Sequence, residues 1–350
     1  MSRAQLTSTD QQNSGGPVSP FVAGKNKIIN GDFRINQRGL TSSGTTSALA
    51  YTLDRWEHYA TSGTPTVSVQ NFTLGTAPVS GYEGTQFYRC NTSGVGTASG
   101  DGFAFQQNIE GVRVFAGQTA TVSFWCKTAS GTPNIGIALE QYCGTGGSDV
   151  LGIGATVALT GGTAWTRYSV TFSVPSLSGK TMGTAGTDYL ALYFILSAGS
   201  SRNAIFGTSA GQTANTFDFW GIQFENGPVA TPFTTASGSI GGELALCQRY
   251  YEKSYNQSVA PGSTTGSTFV YDLYAGQGRT SSSFKVAKRT VATITLYSPS
   301  NGSAGYIDVG GGPVTGNVNA PSETGFSTYT SSGYGSAYYV SYNWVASAEL

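Results

Sequence analysis

Charge is scarce in this chain: Asp, Glu, Lys and Arg make up 10% of 350 residues, against ~25% in a typical globular domain. Eighteen basic and eighteen acidic side chains cancel to a net charge of zero. No stripe of Lys or Arg supplies the electrostatic footprint of nucleic-acid binding, so nucleic acid is not an expected partner. Histidine is nearly absent. The one His, His58, leaves little for acid–base and nucleophilic catalysis, which most often use this residue. It lies in Asp54-Arg55-Trp56-Glu57-His58-Tyr59, a strand-like stretch that places it on a surface or along a pocket. The four cysteines (Cys90, Cys126, Cys143, Cys247) form no C-x-x-C pair, which argues against zinc and for reduced, packed thiols. Long apolar runs are missing too. The longest, Tyr189 to Leu196, falls far short of the ~20 residues of a membrane span. The opening residues hold no apolar segment of the signal-peptide kind, so synthesis in a cytoplasm without export is expected. No P-loop, zincin or dinucleotide motif occurs. Gly207-Thr208-Ser209-Ala210-Gly211 spells G-x-S-x-G, but polar Gln212-Thr213-Ala214-Asn215 follows and His58 lies far upstream, the wrong context for a nucleophile elbow. The chain reads as no enzyme.

What is plentiful is glycine and aromatic surface. Gly accounts for 49 residues, Tyr for 20 and Phe for 18. Disordered chains are poor in aromatics, so this one buries a core. Gly, Ser, Thr and aromatics together fit many short strands joined by tight turns. A neutral, charge-poor surface favours self-association.

Period-two alternation marks the strands. Val122, Phe124 and Cys126 alternate with Thr121, Ser123, Trp125 and Lys127. Tyr168, Val170, Phe172 and Val174 alternate with Arg167, Ser169, Thr171 and Ser173. Tyr189 to Leu196 is apolar throughout, as a strand buried on both faces is. Phe217, Phe219 and Gly221 alternate with Asp218, Trp220 and Ile222. Turns such as Gly144-Thr145-Gly146-Gly147 and Gly161-Gly162 separate them. The fold expected is all-β: an antiparallel jelly-roll sandwich, then a short helix and a second, smaller β domain. The divisions are an N-terminal arm at 1–26, the sandwich at 27–238, a helical linker at 239–254 and a C-terminal β domain at 255–350. The arm is polar with Gly and Pro and cannot form a core alone. In the linker, Leu244, Cys247 and Tyr251 fall at helical spacing, giving a helix over 243–254. In the last domain Val270, Asp272 and Tyr274 alternate with Phe269, Tyr271 and Leu273, and Tyr338, Val340, Tyr342 and Trp344 with Tyr339, Ser341, Asn343 and Val345.

Three stretches resemble bacteriophage tail-fibre and related virion adhesin proteins. The first is Asn26 to Gly39 (NKIINGDFRINQRG) with Tyr51-Thr52-Leu53-Asp54-Arg55-Trp56. The second is Trp220 to Gly227 (WGIQFENG), Ala230-Thr231-Pro232-Phe233 and Glu243 to Tyr251 (ELALCQRYY). The third is Thr293 to Pro299 (TITLYSP) and the ending Trp344 to Leu350 (WVASAEL). The resemblance implies a virion protein on the tail or head surface, made in the host cytoplasm. It implies a homotrimer attached to other virion proteins through residues 1–26, with a distal 255–350 domain and a host surface polysaccharide or receptor as its target. A capsid decoration or head-fibre protein is the alternative, and a glycan-degrading tail spike a second one. Over about 28–233 the chain also resembles carbohydrate-binding jelly-roll modules. Such modules often hold a structural calcium, and Asp32 and Asp218 are the positions that would supply oxygen. Two carboxylates fall short of the 6–8 oxygens calcium takes, and Arg34 stands where the modules often have Glu. No other cofactor is expected.

Candidate glycan contacts are the aromatics on polar registers, Trp125, Trp165 and Trp220, and those crowding the last strand, Tyr334, Tyr338 and Tyr339. Sugar C–H faces stack on such rings while the ring's polar edge stays wet. Packing against a neighbouring strand or a trimer partner gives the same signature. Glycosidase chemistry needs two carboxylates ~5–9.5 Å apart. Asp54, Glu57, Glu140 and Asp218 are the candidates, and sequence does not pair them.

Overall fold

A computed structural model describes residues 24–40, 42–44, 49–79, 82–265, 270–271, 279–310, 312–330 and 339–350. Most of the N-terminal arm (1–23) and much of the 266–278 segment lie outside the described residues. The fold is an all-β antiparallel jelly-roll sandwich followed by a short helix and further small sheets. One six-stranded sheet runs β1 (Ser42–Gly44), β4 (Thr66–Asn71), β5 (Gln86–Asn91), β12 (Thr216–Asn226), β7 (Thr119–Thr128), β10 (Thr166–Ser173). The facing six-stranded sheet runs β2 (Ala50–Leu53), β3 (Trp56–Ala60), β6 (Gly102–Glu110), β11 (Tyr189–Ala198), β8 (Asn134–Tyr142), β9 (Val150–Ala158). Both central strands pair with partners far away in sequence: β11 with β6 and β8, β12 with β5 and β7.

Alternation decides what fills the space between the sheets. Val122, Phe124 and Cys126 of β7 point inward and are buried, facing Leu190, Leu192, Phe194 and Leu196 of β11. Phe105 and Phe194 stack at 4.8 Å and 8°, and Trp56 packs 5.5 Å from Phe105. Each such side chain contributes about 1.5–3 kcal/mol of burial free energy. Part of the other face of β11 is covered as well. Helix α1 (Ser200–Phe206) brings Phe206 to 4.9 Å from Tyr193.

The expected alternation fails within β12. Gly221 sits at φ +65, and the register against β7 shifts between Trp220 and Gln223. This bulge sends Ile222 and Phe224 into the core with Phe217 and Phe219. Ile222 is therefore an inward residue and not a partner of Asp218 and Trp220. The left-handed conformation is one that glycine reaches without steric cost.

After the sandwich, helix α2 (Ile240–Gln248) opens with the Ser239 hydroxyl accepting from the Gly242 N–H at 3.1 Å. The expected helix over 243–254 is corrected at both ends. Residues beyond Gln248 are drawn into a sheet, because β13 (Tyr251–Lys253) pairs with β21 (Asn343–Ser347). β21 also pairs with β16 (Thr293–Tyr297) to make a three-stranded sheet. A fourth sheet runs β14 (Val270–Tyr271), β20 (Val340–Ser341), β17 (Tyr306–Val309), β18 (Gly312–Asn319), β19 (Gly325–Thr330), β15 (Arg279–Ser283). A second core of Leu296, Ile307, Phe326, Val340, Tyr342 and Trp344 lies in this part.

Candidate binding face

Two regions concentrate polar chemistry. The first is a buried junction between the sandwich and the C-terminal sheets. Asn26 donates to the carbonyls of Ile222 and Thr234 and accepts from the N–H groups of Ile28 and Phe224. The Asn30 N–H donates to Glu243 at 2.8 Å, and its side chain is bonded at both ends to Ile35 and to the Asp54 carbonyl. Gln37 donates twice to the Asp54 carboxylate at 2.6 Å and once to the Tyr251 carbonyl at 2.9 Å. Burial pushes Asp54 up to about 6, against the opposing pull of Arg38 and of the Gln37 hydrogen bonds. Arg55, itself at φ +67, pairs with Glu349, and its guanidinium lies 3.6 Å from the Tyr250 ring centre. These contacts hold the two parts of the chain together, while Gln37 Oε1, Arg38 Nε and Arg55 Nε are buried there without a hydrogen-bond partner among the described residues. The runs that carry the tail-fibre resemblance meet here.

The second region is the outer face of the β2–β3–β6–β11–β8–β9 sheet. Residues one apart point to opposite faces, so the partners of the core residues line this outer surface. Glu57, Gln106, Tyr193 and Ala138 follow one another across β3, β6, β11 and β8. One row on lie Asn108, Ala191 and Glu140, and beyond them Glu110, Tyr189 and Tyr142. The Tyr142 and Tyr189 rings stack at 4.7 Å, and both are partly open to solvent. Tyr193 donates its hydroxyl to Glu140 Oε2 at 2.5 Å. Glu57 Oε1 accepts from Gln106 Nε2 at 2.8 Å and Asn108 Nδ2 at 2.7 Å. Glu57 Oε2 and Glu140 Oε1 have no protein partner among the described residues.

Burial sets the ionisation of this face. It pushes Glu57 up to about 7, opposed by the Asn108 and Gln106 hydrogen bonds and by Arg55. It raises Glu140 as well, against the Tyr193 hydrogen bond. The Tyr193 and Tyr189 hydroxyls are raised by burial and then by the Glu140 charge. These are acceptor oxygens set among tyrosine rings, an arrangement that suits hydroxyl-rich ligands.

The aromatics expected to meet sugar sit elsewhere. Trp220 is fully buried and offers no ring face, a correction with a clear cause. The Gly221 bulge leaves it on the outer side of the first sheet, where Phe233, Tyr82 and Phe72 close over it at 5.0, 5.4 and 6.2 Å. Trp125 and Trp165 are half-buried in the same aromatic layer. Trp165 packs against Phe87 at 5.4 Å, with the Lys127 ammonium 5.0 Å from its ring. Tyr339 is 44% exposed. Tyr334 and Tyr338 lie outside the described residues.

The calcium candidates are occupied by cations of the protein itself. Asp32 pairs with Arg34 and accepts from the Tyr82 hydroxyl at 2.8 Å. Asp218 accepts a bidentate pair from Arg89 at 2.7 and 2.8 Å and lies 3.5 Å from Lys127. These partners offset the charge of both carboxylates, and Asp32 Oδ1 is left buried without a hydrogen-bond partner among the described residues. Among the described residues no three His, Cys, Asp or Glu side chains cluster as a metal site. His58 is also corrected: it points into the sandwich beside Phe103 and meets the Thr52 hydroxyl at 3.2 Å. Burial lowers its pKa to about 4. Of the four carboxylates singled out in the sequence, Glu57 and Glu140 share the outer face, Asp54 is in the junction and Asp218 is on the other sheet. Tyr142, Tyr189 and Tyr193 were missed. Their signal was the spacing of Tyr189, Ala191 and Tyr193, which sets one side of β11 apart from its leucine side.

No protein-family model and no curated protein sequence matches the chain. Solved structures do. The enzymatically active domain of tailspike protein 4 from Bacteriophage CBA120 aligns at 15% identity and TM-score 0.32, over 60% of this chain and 22% of that one. The chain thus spans under a quarter of that tailspike domain. The CBM22-1 xylan-binding domain from Paenibacillus barcinonensis aligns at 11% identity and TM-score 0.29, over 60% of this chain and 99% of its own. A family 11 carbohydrate-binding module from Clostridium thermocellum, solved with a β-1,3-1,4-mixed-linked tetrasaccharide, aligns at 13% identity and TM-score 0.30, over 55% and 99%.

Proposed function

We propose that the chain is a non-catalytic, glycan-binding structural protein of a bacteriophage particle, a tail fibre that holds host-surface polysaccharide on the outer face of its β2–β3–β6–β11–β8–β9 sheet. The observation that carries the glycan reading is the stacked Tyr142–Tyr189 pair beside the Glu140 carboxylate, which keeps one oxygen unpartnered. Tyrosine rings stack on sugar C–H faces, and free carboxylate oxygens accept sugar hydroxyls. The particle assignment rests on the resemblance of the three sequence runs. In this reading residues 1–26 attach the fibre to other virion proteins and the working unit is a homotrimer.

The raised pKa values of Glu57 and Glu140 favour a second reading, hydrolysis with one of them as general acid. Geometry weighs against it. β3 and β8 are separated by β6 and β11, three strand spacings or about 14 Å, whereas paired catalytic carboxyls stand ~5–9.5 Å apart.

The test is binding of host-surface polysaccharide fragments to the full chain and to Y142A/Y189A, with reducing ends assayed in parallel. A binding loss of roughly tenfold or more in the variant, with no new reducing ends, is expected. Binding that ignores the variant removes this face from the reading. New reducing ends that vanish in E57Q replace binding with hydrolysis.

A further inference from the structure

We infer that the glycan unit held by this face carries a carboxylate, gripped by Arg202, and a methyl-sized apolar substituent seated in a dimple beside it. The inference rests on the glycan-binding reading and names the class of sugar.

The dimple arises from small residues on the outer face. Gly102, Ala104 and Ala198 present little side chain where β6 and β11 meet. Tyr59, Tyr193 and Phe206 stand around them as walls. The free space is about 30 Å³, enough for one or two water-sized groups. An acetyl or deoxy methyl fits and a sugar ring does not. Its lining is mostly apolar, so a methyl group gains more there than a hydroxyl, which would lose its water without a full set of partners.

Arg202 stands at the mouth. Helix α1 delivers it, and the turn ends with Gly207 at φ +67, its N–H donating to the Asn203 carbonyl. The Arg202 guanidinium lies 4.8 Å from the Tyr59 ring centre. Its stem runs over Gly102, where an added Cβ would lie 3.6 Å from Arg202 Cγ. Four other arginines of the sandwich have acidic partners: Arg55 and Arg38 have Glu349, Arg89 has Asp218 and Arg34 has Asp32. Arg167 is held by the Ser123 hydroxyl and the Thr231 carbonyl, and Arg113, like Arg202, has no ion pair among the described residues. Arg202 has no acidic partner and no hydrogen-bond acceptor among the described residues. A planar guanidinium fixed on an aromatic ring is pre-organised for bidentate binding of a carboxylate. Glu57 and Glu140 lie beyond Gln106 and Tyr193, on the far side of the dimple from Arg202. A cation at one end and acceptor oxygens at the other give the bound sugar one orientation: carboxylate to Arg202, hydroxyls to the glutamates.

The experiment titrates the full chain with paired ligands: hexuronate-containing capsular oligosaccharides and their carboxyl-reduced forms, and sialyllactose with lactose. Binding is read by calorimetry, and folding is checked by circular dichroism. The acidic member of a pair is expected to bind roughly tenfold tighter or more. R202Q should bring the acidic ligand to the level of its neutral partner and leave the neutral one unchanged. A104V, which fills the dimple, should weaken the N-acetylated sialyl ligand. If neutral and acidic members bind alike, or R202Q keeps the preference, the inference is overturned while the glycan reading stands. If no ligand of either kind binds the wild type, the glycan reading falls and takes the inference with it.

Discussion

Glu252 and Lys288 meet at 2.6 Å, and neither side chain is reached by solvent. The pair ties β13 to the loop before β16, next to the junction through which the C-terminal sheets grip the sandwich. Glu252 also accepts from the Lys285 N–H at 2.9 Å, and Lys288 donates to the Val286 carbonyl.

Removing one partner leaves the other charge buried alone, which costs about 3–5 kcal/mol. K288M is therefore expected to lose that much stability in urea denaturation. E252Q/K288M leaves no buried charge and should recover part of it. A K288M loss under ~1 kcal/mol, the value of an exposed pair, would show that water reaches the site.

Glu57 links stability to pH. Its folded pKa is raised to about 7 from 4.5, so the folded state holds a proton that the unfolded chain releases. The associated stability is present below pH 4.5 and is lost as pH rises through 7. The gap amounts to about 3 kcal/mol at ~1.36 kcal/mol per pH unit. His58 works in the opposite sense, because its pKa is lowered to about 4, so the wild-type profile mixes the two. The clean quantity is a difference. E57Q cannot titrate at this position and should gain on the wild type by up to about 3 kcal/mol between pH 4.5 and 8. Parallel thermal-unfolding profiles for the two proteins would show that Glu57 is ionised throughout.

Gly221 holds the β12 bulge at φ +65, and a Cβ there would come within 3.1 Å of the Trp125 ring. G221A is expected to cost about 1–2 kcal/mol from the left-handed backbone alone. The strain falls between Trp220 and Trp125, so tryptophan fluorescence should shift along with the unfolding midpoint. A variant with unchanged stability and emission would mean the bulge can move to a neighbouring residue.

The strands of the sandwich were legible wherever period two runs unbroken, as at Val122–Cys126 and along the apolar β11. They stopped being legible at Gly221, because one bulge reverses every side chain after it. Trp220 thus read as a free aromatic, although Phe72 and Tyr82 close over it. His58 was misplaced for a related reason: it shares the inward register of Trp56, which short-range pattern did not reveal. Helix α1 has only seven residues and no apolar periodicity, so its signal was too short to see. The binding face was half visible. Glu57 and Glu140 stood out as carboxylates in a charge-poor chain, but only the long-range pairing of β3, β6, β11 and β8 puts them on one surface.

The position of β21 has a consequence for how the molecule is made. It is the middle strand of its sheet, flanked by β13 and β16, and it is the last of the three to be synthesised. β13 and β16 can find no common partner until residue 347 has left the ribosome. Until then β13 is an unpaired edge beside an uncovered helix α2, the kind of surface that recruits other chains. Closure must also join segments far apart in sequence, since Arg55 waits for Glu349 and Gln37 for Tyr251. Such loops close slowly, so during biosynthesis the sandwich can stand folded while its neighbour is still waiting for its final strand.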